Sequence, residues 1–334
     1  MPTARLLLFR CCRLSRCRPQ CRCRLCLGFF LLTLLLALQC AWAAQVSQPK
    51  EIIKFRMRDG YLMIVQARVN GAGPFSFLLD TGTTRTVIDP ELALQLQAPV
   101  IGSDTLAIFS SLRRVRLVHL DDVQVGNAKA SDLGVMVDKI NEVKFLAPGI
   151  RGVLGEDFLS RFDILIDYKK RWLSFGDSAP DGERSPVRMK GQYRGLPTSN
   201  RLLIKAEFMD TSGGELELQL DTGARRAELF PVSHESLSSQ PWGGVMAVSG
   251  GSKGITIHSR ITMRIGTTII TDLDVIQSHR GVAYDAAGLL PASIFHRVYI
   301  SHSGGFVVLN PVERKAKPMP APPDASSVMR NGGS

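Results

Sequence analysis

The tripeptide Asp-Thr-Gly occurs twice, at Asp80-Thr81-Gly82 and at Asp221-Thr222-Gly223, and each copy ends a strand-like run. A chance Asp-Thr-Gly is expected on the order of 10⁻⁴ per position, so one copy reads as an ordinary Asx-type turn. Two copies in register within a longer repeat do not. At an offset of about 140, a proline lies ten residues beyond each aspartate, Pro90 and Pro231. Val123-Gln124-Val125-Gly126 answers Met263-Arg264-Ile265-Gly266, and Gly152-Val153-Leu154 answers Gly288-Leu289-Leu290. Each half closes on a β pair, Ile164–Ile166 with Trp172–Phe175 and Val298–Ile300 with Phe306–Leu309. Such an ordered set marks a duplicated lobe, and a duplicated lobe can bring one carboxylate from each copy to a single point.

Local patterns support strands on both sides of the repeat. Leu216, Leu218 and Leu220 alternate with Glu215, Glu217 and Gln219, which predicts a half-buried strand with the polar set outward. Phe75, Phe77 and Leu79 with Leu78 predict the same strand buried on both faces. Asp89-Pro90-Glu91 supplies an N-cap, a proline at N1 and an early acid, so a short helix starts there. The fold class expected is all-β, bilobal, with two duplicated barrel-like lobes and few short helices.

The strand would deliver each aspartate to its lobe surface, and glycine two residues later permits a tight turn and close approach by another chain. The threonine hydroxyls can bond across to the facing loop. Two carboxylates held together cannot both ionise freely, so they share one proton over a mildly acidic window. A water between them would meet a base on one side, while the protonated partner donates to a carbonyl oxygen.

The net charge of +11 comes mostly from the N-terminus. Seven of the 41 basic side chains precede residue 25, where there is no acid, and 34 basic against 30 acidic side chains come after residue 43. That balance argues against a nucleic-acid partner. The basic start, the apolar run Leu25–Leu38 and Ala41-Trp42-Ala43 read as a secretory signal peptide over 1–43; left uncleaved, it would tether the protein to a membrane. The expected location is exported, periplasmic or secreted. All seven cysteines (11, 12, 17, 21, 23, 26 and 40) precede the cut, so the mature chain would have neither disulfides nor cysteine chemistry. The organisation expected is an N-terminal lobe over 51–175, an interlobe linker over 176–200, a C-terminal lobe over 201–310 and a disordered tail over 311–334.

The segments FSFLLDTGTTRTVID and LELQLDTGARRAELF resemble the active-site loops of aspartic peptidases, the pepsin and retropepsin clan. GVLGEDFLSRFDILIDYKKRWLSF is similar to the bracing segment and adjoining strands of bacterial retropepsin-like aspartyl proteases. The resemblance covers roughly 51–310 and implies Asp80 and Asp221 as the catalytic pair. Thr81, Gly82, Thr83, Thr222 and Gly223 would support the two loops, and Gly152–Gly155 and Gly288–Leu290 would brace them. It also implies a cleft for a peptide or unfolded protein, an endopeptidase that works without metal or cofactor, and a monomer. A non-catalytic peptide-binding module on the same fold is the alternative.

Thr83 supplies a hydroxyl as in pepsin-like loops, while Ala224 stands at that place in the second loop, as in retropepsins. Two features depart from the pattern: Arg225 stands where retropepsins commonly place an acid, and Pro291, rather than glycine, ends the second bracing segment. A cation near the dyad would favour full ionisation. Flap candidates are Phe109 in the first half and Ser249, Gly250 and Gly251 in the second. Gly250-Gly251-Ser252-Lys253-Gly254 matches Gly-x-Ser-x-Gly, but the run from Ile255 to His258 reads as strand, where a nucleophile elbow needs a helix. The six histidines show no metal-ligand spacing, and Asp163 and Asp167 read as structural.

Overall fold

The structure, a computed structural model, describes residues 51–108, 111–193, 196–209, 214–230, 242–248, 251–277 and 286–310. The leader and the tail lie outside these residues. The first half runs β1 (Ile53–Lys54), β2 (Arg56–Arg58), β3 (Leu62–Val69), β4 (Ala72–Leu79) and β5 (Val87–Ile88). Helix α1 (Pro90–Gln95), β6 (Val100–Ile108), β7 (Ser111–Val125) and β8 (Ala128–Val137) come next. Then come α2 (Asn141–Leu146), β9 (Ile150–Leu154), α3 (Glu156–Leu159), β10 (Ile164–Asp167) and β11 (Trp172–Phe175). The second half comprises β12 (Ser185–Tyr193), β13 (Leu196–Phe208), β14 (Glu215–Asp221), β15 (Ala227–Leu229) and β16 (Trp242–Val248). It ends with β17 (Gly251–Ile265), β18 (Thr268–Gln277), β19 (Gly288–Pro291), a 3₁₀ turn (Ala292–Ile294), β20 (Arg297–Ser301) and β21 (Phe306–Leu309).

Strand pairing repeats between the halves. In the first, β3-β4-β9-β5-β8-β7 closes on itself through β3–β7; in the second, β13-β14-β19-β15-β18-β17 closes through β13–β17. Both six-strand barrels contain the same unusual parallel pairs. Leu79 pairs with Leu154 as Leu220 pairs with Leu290, and Val87 pairs with Met136 as Glu228 pairs with Ile276. The expected all-β bilobal fold is therefore present, and closure leaves each barrel no free edge on which to aggregate.

The barrels fill with the apolar alternation read from the sequence. Phe77, Leu79, Leu218 and Leu220 are fully buried, as is Phe158 of α3. The N-cap at Asp89 forms as expected, its carboxylate accepting from Leu92 N–H at 2.6 Å. Among the described residues no helix is long and apolar enough to cross a membrane.

A third sheet joins the halves, in the order β1-β11-β10-β20-β21-β12. Its seam is the antiparallel pairing of β10 with β20, Ile164 opposite Ile300 and Ile166 opposite Val298. Part of the segment read as a linker is strand. β12 pairs with β21 in the shared sheet and with β13 in the second barrel, so it ties one to the other. Pro and Gly within 176–200 point to loop, but Pro186 stands near the start of β12, where proline is tolerated, and the alternation of Val187 and Met189 with polar residues fits a strand.

Gly288 shows how tight the second bracing segment is. A Cβ there would overlap the carbonyl oxygen of Glu228 on the neighbouring β15. Gly288→Ala should destabilise the fold by about 1–3 kcal/mol through forced backbone displacement. A urea midpoint unchanged from wild type would refute this close packing.

Candidate active site

Each Asp-Thr-Gly begins where a barrel strand runs out toward the other half. Asp80 follows β4, with its N–H bonded to Leu154 O at 3.0 Å, and Asp221 ends β14 in parallel register with Pro291. Pro291 therefore continues the bracing strand rather than breaking it. Thr81 and Thr222 are fully buried, and four hydrogen bonds link each loop to the other, two of them between the threonines themselves. Thr81 Oγ1 donates to Leu220 O at 2.8 Å and accepts from Thr222 N–H at 3.1 Å. Thr222 Oγ1 donates to Leu79 O at 2.9 Å and accepts from Thr81 N–H at 3.0 Å. Each hydroxyl thus uses its donor and an acceptor lone pair on the opposite strand, which fixes a local twofold relation.

That grip presses the carboxylates together. Asp80 and Asp221 lie close enough that each bears on the other's titration. Gly82 N–H donates to Asp80 Oδ1 at 2.8 Å and Thr83 Oγ1 to Asp80 Oδ2 at 2.9 Å, while Gly223 N–H donates to Asp221 Oδ1 at 2.7 Å. The glycines also make room. A Cβ on Gly82 would stand 2.5 Å from Asp221 Oδ2, and one on Gly223 2.8 Å from Asp80 Cγ. No side chain fits either place while the dyad stays closed.

Loss of water raises both carboxyl groups above their ordinary range. Asp80 rises less, because bonds from Thr83, Gly82 and Asp221 favour its charged form. Asp221 rises further, through burial first and then the charge of Asp80. One proton is therefore held between the two well above the usual carboxylate titration. Arg225 does not remove it. This residue is exposed, and its charge bears on Tyr61, which burial nonetheless keeps above its ordinary value.

Two groups around the dyad escaped the sequence reading. Gln219, placed on the polar face of β14, is fully buried and reaches the first loop. Glu156 of α3 is also fully buried, and its N–H donates to Thr83 O at 2.8 Å. Its side chain meets His302, from the turn after β20, at 3.0 Å. His302 Nδ1 lies 2.6 Å from Phe162 O, which only accepts, so Nδ1 carries a proton. Burial draws His302 down most strongly, but the bond and charge of Glu156, with the Phe162 carbonyl and the Asp163 charge, together hold it raised; Glu156 is raised by burial against the pull of His302. An acid inside the otherwise apolar run Val153-Leu154-Gly155-Glu156 was the one available signal.

The remaining expected residues divide between the first loop, the shared sheet and the hairpins. Thr83 touches Asp80, and Gly155 N–H bonds Thr86 Oγ1 at 3.2 Å, bracing the first loop from below. Asp163 accepts from Tyr299, Ser301 and Ser303, a structural role. Of the flap candidates, Phe109, Ser249 and Gly250 lie outside the described residues. Gly251 opens β17 opposite Val248, and Ile108 pairs with Ser111 in the first half.

Two closed barrels present reciprocal Asp-Thr-Gly loops to each other in an all-β bilobal fold. Residues 65–158, most of the first barrel, match the family model for aspartyl proteases. Among solved structures, a retropepsin-like aspartic protease from Rickettsia conorii is similar at 20% identity, covering 38% of this chain and 89% of that one, with a TM-score of 0.27. No curated protein matches.

The grip and the titrations yield separate tests. Thr222→Val removes two buried bonds and leaves Leu79 O and Thr81 N–H without that partner, a cost of about 2–4 kcal/mol in chemical denaturation. Asp80, Asp221, Glu156, Asp157 and His302 are all raised in the folded state. Raised groups contribute stability below their unfolded values and lose it as pH climbs through their folded values. Asp89 and Asp163 are lowered: burial pushes them up most strongly, but their several bonds together (Arg151, Leu92 N–H and Lys144; Ser303, Tyr299 and Ser301) exceed it. They therefore lose their contribution as pH falls from the ordinary carboxylate range through their lowered folded values. The melting temperature should therefore rise from about pH 7.5 to about pH 5. Asp221→Asn should flatten that slope and raise the neutral-pH melting temperature; an unchanged slope would contradict the assignment.

Proposed function

We propose that this protein is an aspartic endopeptidase whose Asp80/Asp221 dyad activates a water molecule against a peptide carbonyl. The observation that carries the reading is the reciprocal set of threonine bonds that holds the two Asp-Thr-Gly loops together, with each glycine packed against the opposite carboxylate. One carboxylate takes a proton from the water as it attacks, and the protonated partner donates to the carbonyl oxygen. The tetrahedral intermediate then collapses, with the amine leaving group receiving a proton from the dyad. Asp80 retains some solvent exposure, which gives substrate a route to the pair.

An extended peptide or unfolded segment would lie between the barrels, with β6–β7 and β16–β17 as covering hairpins. The basic, apolar leader supports export to the periplasm or beyond, and both lobes in one chain support a monomer. Neither carboxylate is replaced, so nothing favours a module that binds peptide without cutting it.

Proteolysis of an unfolded, labelled protein should peak on the acid side of neutrality, between the two macroscopic titrations of the pair. Asp80→Asn and Asp221→Asn should each lower kcat/KM by about 10³-fold or more. Cleavage that survives in both purified variants would assign the chemistry elsewhere; tight peptide binding without cleavage by wild type would establish a binding module.

A further inference from the structure

The two loops obey a twofold relation, but the groups behind them do not. Gln219 Nε2 donates to Gly82 O at 3.0 Å and to Thr81 O at 3.3 Å, crossing from the second barrel to the first loop. Its Oε1 accepts from Arg201 Nη1 at 2.9 Å, and the arginine is only 6% exposed. The residue in the matching place of the first barrel is Leu78, which has no polar side-chain atom. The brace therefore acts in one direction only.

Its electrostatic effect arises from peptide connectivity. The carbonyl of Thr81 and the N–H of Gly82 belong to one peptide unit, and that N–H is the donor to Asp80 Oδ1. A donor on the carbonyl polarises the unit and strengthens the bond its N–H makes. A guanidinium behind the amide polarises the amide in turn. The chain Arg201, Gln219, Thr81–Gly82 peptide, Asp80 thus presents a run of aligned dipoles whose positive end meets the carboxylate. The Gly82–Thr83 peptide receives the same donor. Asp80 also has the Thr83 hydroxyl, where the second loop has Ala224.

We propose that Arg201 and Gln219 are positioning residues that, through the Thr81–Gly82 backbone, keep Asp80 as the ionised member and leave the shared proton on Asp221. Asp80 would then be the base toward water, and Asp221 the donor to the carbonyl oxygen. Among the described residues, the other ionisable groups bearing on the pair include Glu156 beside Asp80, and Tyr61 and Tyr168 beside Asp221. Tyr168 is raised by burial first and then by the charge of Asp221, which matches its place on that side.

The assignment depends on the dyad reading only for its kinetic consequence, so the main test is spectroscopic. Carboxyl ¹³C titrations of the full chain, labelled at aspartate and assigned with Asp80→Asn and Asp221→Asn, give the order of ionisation. In wild type Asp80 should ionise first. In Gln219→Met the Asp80 midpoint should rise by on the order of half a pH unit or more, as one charge-assisted relay is lost. Should that variant fail to fold, Arg201→Met with Gln219→Met removes the buried charge together with its acceptor and takes its place. The acid limb of the kcat/KM profile should move up with the same variant, with KM little changed. The proposal is overturned if Asp221 ionises first in wild type, or if a folded variant keeps the wild-type Asp80 midpoint. Absence of proteolysis alongside the expected titration order would refute only the peptidase reading.

Discussion

Two carboxylates stripped of water repel each other, and everything else in this molecule opposes that repulsion. The immediate counterforce is the exchange of hydrogen bonds between Thr81 and Thr222. Behind the threonines lie the parallel strand pairs β4–β9 and β14–β19, whose buried leucines fix where each loop leaves its barrel. Dyads of this kind are costly because each charged form prefers solvent, and burial accordingly raises both aspartates. A loose scaffold would relax it by separating the groups.

Duplication explains the symmetry, and divergence explains the chemistry. A symmetric pair of carboxylates would hold its proton equally on either side. Here Thr83 faces Ala224 across the axis, and Gln219 faces Leu78. Glu156 and His302 add a second inequality, since they join α3 of the first half to the β20–β21 turn beside the first loop alone. Polar groups buried at this depth either find partners or destabilise the fold, so each such substitution in one copy required a compensating one elsewhere.

Much of this was legible in the sequence, because the strongest signals were local or repeated. The Asp-Thr-Gly copies, the leucines preceding them and the Asp89–Pro90 cap each came from neighbouring residues with a physical rule attached. The bracing glycines came from the repeat register. Gln219 was misplaced for a clear reason. Alternation assigns a glutamine on an amphipathic strand to the wet face, and only the arrival of the first loop covers it. Glu156 and His302 are 146 positions apart, so no periodicity could pair them. The segment 176–200 reads as a connector because strand starts tolerate the proline that loops also favour.

The shared sheet carries one more implication. Its strands divide evenly, with β1, β11 and β10 supplied before residue 176 and β20, β21 and β12 after residue 184. A nick in the intervening turn would leave all these strand pairings in place. The halves would remain joined by the backbone bonds of β10 and β20 and by the threonine exchange above them. Covalent continuity across that turn raises the local concentration of one half around the other, so the pairing forms with a smaller entropic cost than two free chains would meet.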